Sequence, residues 1–330
     1  MPDAKKRKVP GLSEPDLRKV CEEVLGVKGA MDDGGAGGVS AETRRRVDEL
    51  YASLMAHLGG PEVLNFSNAK VETLERLNIE QYGWLERKPD LKARITASTS
   101  LGQNKVWTSN LLYKHLLMLE NQVHNKKEAA SRLWIDAFLF RASAMLSPGQ
   151  ETIITPEHTI LPIVISPESL STLSGSLDYS AVIPRRRVAA PNFSADLQSL
   201  QRNVPFGLFV IEAKPFKSDL EPHIPQAVCQ LFACAKHLNK RTIRGTLSNG
   251  RQWIFIILTL NHDSQGGSFT RSDIVDFDTK KDINGNLKIH RPWPDTIAAI
   301  LSHWIERSFS EIDENDWFTD SLIDTDSRHR

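Results

Sequence analysis

The sequence has no apolar run approaching the roughly 20 residues that a membrane-spanning helix needs, and residues 1–9 are charged, without the apolar core of a secretory signal. Cysteine is scarce. Cys21, Cys229 and Cys234 form no CxxC pair and no Cys/His zinc spacing, so the sequence reads as neither a disulfide framework nor a zinc module, and a reducing compartment follows. Net charge is missing as well: 41 Lys and Arg balance 41 Asp and Glu. That balance argues against a protein coated by nucleic acid over its whole surface. There is no Walker A run, no GxGxxG after a strand, no HExxH and no GxSxG elbow. Gly34, Gly35, Gly37 and Gly38 precede a helical pattern but follow no apolar strand, so they read as a linker rather than a phosphate loop.

What remains is a chain of 330 residues, 40% hydrophobic and 25% charged, enough for one large domain or a modest one with a helical extension. Its charge is unevenly spread. From Asp178 to Arg251 there are eleven Lys or Arg against five Asp or Glu, a local surplus compatible with phosphate contact or with an ordinary solvated face. Lys5, Lys6, Arg7 and Lys8 form a basic run similar to the nuclear-localisation signal of large T antigen. The run reads as a nuclear address, a solvated tail or an appended tag. The expected location is nuclear, otherwise cytoplasmic.

The patterning predicts four regions. Residues 1–39 are a disordered region with a short helix over 13–25 and a flexible linker over 27–39. Residues 40–125 form a helical extension: Ser40 caps a helix to His57 on which Val47, Leu50, Leu54 and Leu58 share a face. Further helices fall at 69–78 and 108–122, around a weakly patterned segment. Residues 126–310 are the main α/β domain, and 311–330 an acidic disordered tail. Within the main domain a buried helix spans 126–145, strands follow at 159–165, 177–183 and 206–214, and Pro225 opens a helix to about Leu238. Asn249-Gly250 turns a hairpin of strands 242–247 and 252–260. Residues 261–290 read as loop or an irregular strand pair, and 293–309 as a closing helix. The sum is an α/β arrangement around a mixed sheet.

The chemistry lies in GLFVIEAKP, residues 207–215. Strand side chains alternate faces, so Glu212 and Lys214 point one way while Phe209, Ile211 and Ala213 pack the other way. A carboxylate and an ammonium at the end of an apolar strand are poorly placed for burial unless something uses them. Asp178, in the upstream strand SLDYSAVI, shares a face with Ser180. If the two strands are neighbours, Asp178 and Glu212 converge. Two converging carboxylates repel, and a hard divalent cation, Mg2+ or Mn2+, resolves the repulsion. Such a cation activates water and polarises a phosphate, with Lys214 beside it as a compact, readily shifted charge.

A strand aspartate, a later apolar strand ending Glu212-Ala213-Lys214, and then a helix resemble the PD-(D/E)XK, restriction-endonuclease-like nuclease superfamily. The resemblance covers about residues 126–260, with Leu177 where the motif name has proline. It is similar also to nuclease-like domains of fungal and oomycete Crinkler-type proteins. The resemblance implies a restriction-endonuclease-like mixed central sheet flanked by helices, and Mg2+-dependent hydrolysis of phosphodiesters in DNA, or RNA. It implies a glutamine on the following helix near the metal, Gln230 or Gln226, and an acidic residue on the first helix, Glu128 or Asp136. Arg185, Arg186 and Arg187, and Lys236, Lys240, Arg241 and Arg244, are candidates for gripping phosphate on the flanks of the cut. The rival expectation is a catalytically inactive nuclease fold acting as a nuclear effector, with a protein partner on the N-terminal helices and the import machinery as a further partner. No membrane association is expected.

Overall fold

The computed structural model describes residues 13–32, 41–58, 62–124, 127–165, 171–185, 193, 197–202 and 205–322. The basic run Lys5–Lys8 lies outside the described residues. The chain divides into two units, Met1–Asn65 with Leu161–Ser174, and Phe66–Ile160 with Gly175–Arg330.

In the first unit, α1 (Glu14–Asp32) and α2 (Ala41–Leu58) pack through Leu17, Cys21 and Leu58, with Leu25, Tyr51, Leu54 and Met55 around them. Helix α1 continues to Asp32, through part of the segment read as linker; residues 33–40 lie outside the described residues. Strand β1 (Glu62–Asn65) pairs in parallel with Ser171–Ser174.

The second unit runs α3 (Val71–Arg76), β2 (Ile79–Arg87), α4 (Leu91–Thr99), α5 (Ser109–Gln122) and α6 (Glu128–Met145). Strands β3 (Ile153–Val164) and β4 (Ser171–Ile183), of which residues 161–164 and 171–174 belong to the first unit, helix α7 (Leu197–Arg202), strand β5 (Gly207–Ala213) and helix α8 (Ile224–Leu238) follow. The remainder is β6 (Thr242–Ser248), β7 (Gln252–Leu260), β8 (Gly267–Ser272), β9 (Val275–Asp276), β10 (Thr279–Lys281), β11 (Leu287–Ile289), α9 (Trp293–Glu306) and β12 (Phe318–Leu322). The sheet order is β4-β5-β6-β7-β8-β2-β12, with β3 beside β4 and β9 beside β7. Pairs β5/β6 and β8/β2 are parallel and the others along this path antiparallel. This is an α/β fold with a large mixed sheet flanked by helices.

Three elements depart from expectation. Strand β2 lies inside the sheet, so residues 40–125 are not simply a helical extension. Strand β8, in the stretch read as loop or irregular pair, is an interior strand between β7 and β2. The described part of the tail, residues 311–322, carries a strand: β12 pairs with β2, and Asp316, Trp317 and Phe318 are buried.

All seven residues of β5 are buried, as a strand covered on both faces requires. On one face Tyr179, Ala181, Phe209, Ile211, Ala213, Trp253 and Phe255 join the α6 and α9 side chains in the main core. On the other lies α8, whose approach depends on Gly245 in β6: a Cβ there would stand 2.7 Å from Leu231 Cδ2 and 2.7 Å from the Val210 carbonyl oxygen. Pro225 sits in the first turn of α8, and Asn239, at φ 51°, ends it in the left-handed conformation. Helix α8 is thus held flat against β5 and β6, with its first turns beside the end of β5 that carries Glu212.

Candidate active site

The antiparallel pair β4/β5 ends at Tyr179↔Ile211, and its register carried on by one residue sets Asp178 opposite Glu212. Directly opposed residues on one face bring their Cβ atoms to roughly 4.5–5.5 Å. Asp178 lies near enough for its charge, after burial, to raise the Glu212 carboxyl. Asp178 Oδ2 accepts a hydrogen bond from the Ala213 backbone N–H at 2.8 Å, which ties it to the strand carrying Glu212. Its other oxygen accepts from Arg132 on α6.

Glu212 is nearly fully buried and fully engaged. Lys214 Nζ donates to Glu212 Oε1 at 2.5 Å and to Gln226 Oε1 at 2.9 Å, while Gln226 Nε2 donates back to Glu212 Oε1 at 2.5 Å. Gln230 Nε2 donates to Glu212 Oε2 at 2.5 Å and to the Ser176 carbonyl at 3.1 Å. Both of those partners are acceptors, so the amide orientation is fixed. Its Oε1 is left buried with no hydrogen-bond partner among the described residues. Burial, and then the charge of Asp178, push the Glu212 carboxyl up to about 7, against the opposing pull of Lys214 and Gln230.

These contacts bring Asp178, Glu212, Lys214, Gln226 and Gln230 into one constellation. Glu128 stands one side chain away, 3.0 Å from Arg132. Asp136 is elsewhere, beside the Tyr179 hydroxyl on the opposite face, its pKa raised by burial. Two members have no place in the sequence reading. Arg132 binds Asp178, Glu128 and, at 2.8 Å, Glu157. Burial alone would lower its pKa, but the bond to Glu157 and the charges of Asp178 and Glu128 carry it above the ordinary value. Its visible signal is Glu128 four residues earlier on the same helix face. His223, three residues before Gln226 and so on the same face of the α8 entry, has its pKa lowered by burial and then by the charge of Lys214.

The basic candidates do not flank this site. Strand β4 runs antiparallel to β5, so the segment after Ile183 emerges at the far end of the sheet from Ala213. Arg185 lies there, over the Phe206 ring at 5.8 Å; Arg186 and Arg187 lie outside the described residues. Lys236 sits over Phe232 at 5.4 Å, Lys240 over Phe309 at 4.8 Å, and Arg241 lies 3.9 Å from Glu311, all around the α8–β6 junction at that same far end. Arg244 is fully buried: its Nη1 donates to Asp316 Oδ2 at 2.6 Å and its other donors to the Ser310 and Glu311 carbonyls. It is a structural anchor, not a phosphate grip. A cleft of about 570 Å3 lined by Arg94, Ser98, Met145, His303 and Trp317 also lies away from the carboxylates.

Among the described residues no group of three or more His, Cys, Asp or Glu is arranged to hold a metal. A two-carboxylate site falls below that count, and Mg2+ typically takes only one or two carboxylates and keeps several waters. The donor set fits such an ion: two neighbouring carboxylates, one of them raised by burial and then by the charge of the other, and the partnerless amide oxygen of Gln230. No helix among the described residues is long and apolar enough to cross a membrane. No family model and no curated protein sequence matches the chain.

Proposed function

We propose that this chain is a divalent-cation-dependent nuclease of the PD-(D/E)XK, restriction-endonuclease-like kind, hydrolysing phosphodiester bonds of DNA, with RNA as the second substrate to test. The reading is supported by Asp178 and Glu212 standing at the same end of the adjacent strands β4 and β5, with Lys214 Nζ 2.5 Å from Glu212 Oε1. Buried charges of this kind cost stability unless used.

Asp178 and Glu212 would hold Mg2+ or Mn2+. Such an ion, when bound, lowers the pKa of water and polarises the phosphate. The chain's own residues do the rest. Lys214 presents an ammonium to the reacting phosphate and orients the attacking water. Gln226 aims that ammonium by accepting a hydrogen bond from it while donating one to Glu212 Oε1. Gln230 fixes Oε2, and Arg132 with the Ala213 N–H fixes Asp178. Preorganisation of this sort lets electrostatics act without reorganisation at the moment of reaction. The basic run Lys5–Lys8 would direct the protein to the nucleus.

The test is incubation with plasmid, single-stranded DNA and RNA in Mg2+ and Mn2+. Cleavage should fail in chelator and fall by about 100-fold or more in Asp178→Asn, Glu212→Gln and Lys214→Ala, each of normal fold by circular dichroism. Intact substrates throughout would leave the non-catalytic effector in its place.

A further inference from the structure

Just past Lys214 the chain opens a second feature at the same end of the sheet. A cleft of about 340 Å3 is lined by Phe216, Lys217, Asn249, Arg251, Gln252 and Phe277. It adjoins the carboxylates through covalent and packed neighbours. Lys214 N–H bonds the Ser248 carbonyl at 2.8 Å, next to Asn249, and Phe216 is two residues beyond Lys214. Phe216 also leans on Trp134, ring centroids 5.8 Å apart, and Trp134 is two residues along α6 from Arg132.

We propose that this cleft is the subsite for one unstacked nucleobase of the strand being cut, so that the substrate is a single strand or a strand frayed from its duplex. The inference rests on the nuclease reading of Asp178, Glu212 and Lys214. One wall is a fixed stack of cation and aromatics: the Arg251 guanidinium lies 4.6 Å from the Phe216 ring centre and 5.9 Å from that of Phe277, held from outside by Glu120. Arg251 Nε is buried with no hydrogen-bond partner among the described residues. Aromatic faces and guanidinium planes are the two surfaces on which unpaired bases stack. The rim carries the half-buried Gln252 side chain, held by the buried Asn249 amide, which donates to Gln252 Oε1 at 3.0 Å and to the Ser218 carbonyl at 3.4 Å.

The charge of the cleft is mixed: Lys217 is exposed on the rim and Arg251, paired with Glu120, lines the wall, with the exposed Asp276 also in the lining, whereas the basic groups around the α8–β6 junction lie at the opposite end of the sheet. A strand whose phosphate lies at Lys214 passes these two cations first. Its neighbouring base reaches the cleft only by leaving the stack, which a continuous duplex resists. The volume sits at the small end of the roughly 300–1,000 Å3 range of ligand pockets, suited to one planar ring system.

The experiment measures binding of a short labelled single strand, and of the same sequence as a blunt duplex, to the full chain in Ca2+. Wild type and the Phe216→Ala and Phe216→Trp variants are compared. The proposal expects preference for the single strand, a loss of about ten-fold or more in that binding for Phe216→Ala, retention in Phe216→Trp, and little change for the duplex. Equal binding of both forms, or an equal loss on both with an unchanged melting temperature, overturns it. Cleavage in Mn2+ is read separately. Cleavage indifferent to Phe216 removes the base subsite and leaves the nuclease; Phe216-dependent single-strand binding without any cleavage removes the nuclease and leaves the subsite.

Discussion

Arg132 on α6 donates to Asp178 on β4, 46 residues later in the chain, and the same guanidinium bonds Glu128 and Glu157. A cation built into the protein thus sits against one of the two carboxylates proposed to bind a metal. It relieves the repulsion between Asp178 and Glu212 before any ion arrives, and it opposes a second positive charge at the same place.

Replacing Arg132 with Gln should therefore separate two quantities. Stability in chelator should drop by about 1–3 kcal/mol, because three carboxylates lose a charged donor. Mn2+ affinity should rise several-fold, since a competing positive charge is gone while the Ala213 N–H still holds Asp178. Urea unfolding and Mn2+ titration monitored by electron paramagnetic resonance read the two. Weaker Mn2+ binding would show instead that Arg132 is needed to aim Asp178.

Glu212 gives a prediction in pH. Its folded carboxyl is pushed up to about 7, above the ordinary value of 4.5. A raised carboxyl binds protons more readily in the folded than in the unfolded state, so the stability it contributes is full below about pH 4.5 and lost as pH rises through about 7. In chelator the wild type should lose stability across that window, and Glu212→Gln should lack that component of the slope. Melting temperatures measured from pH 5 to pH 8 check this; parallel curves for the two proteins would contradict it.

Asp316, in the segment leading into β12, gives a third. Asp316 is fully buried, accepting from Arg244 Nη1 at 2.6 Å and from Trp304 Nε1 at 3.1 Å. Burial alone would raise its pKa, but His303, 3.7 Å away, and Arg244 hold it well below the ordinary carboxylate range. A depressed carboxyl contributes stability above its unfolded pKa and loses it as pH falls further. Asp316→Ala should cost about 3–5 kcal/mol at neutral pH by stranding Arg244, and the deficit should shrink in acid. Denaturant unfolding at the two pH values decides; a cost below about 1 kcal/mol would mean that Arg244 is not anchored there.

How far these features are legible in the sequence depends on how local their signal is. Strand β5 is readable because a short apolar run closes on Glu212 and Lys214 two residues apart, and α8 because Pro225 and an apolar stripe mark it. Strand β2, with the sequence IEQYGWLER, and β12, FTDSL, mix charged and apolar residues because several of their side chains face outward, so no buried run announces them. Arg132 is invisible because its decisive partner is distant in the chain. The basic clusters mislead for a geometric reason: nearness in sequence to Asp178 says nothing of strand direction, and an antiparallel pairing sends Arg185 to the wrong end. Arg244 misleads because its counter-ion, Asp316, lies in a segment whose composition reads as solvated.

The most direct measurement is a Mn2+ titration of the wild-type chain, Asp178→Asn and Glu212→Gln, followed by electron paramagnetic resonance. Cooperative chelation by Asp178 and Glu212 predicts one bound ion per wild-type chain and loss of that site in either variant, with the fold intact. An ion that survives both substitutions, or a wild-type chain that binds none, would contradict it.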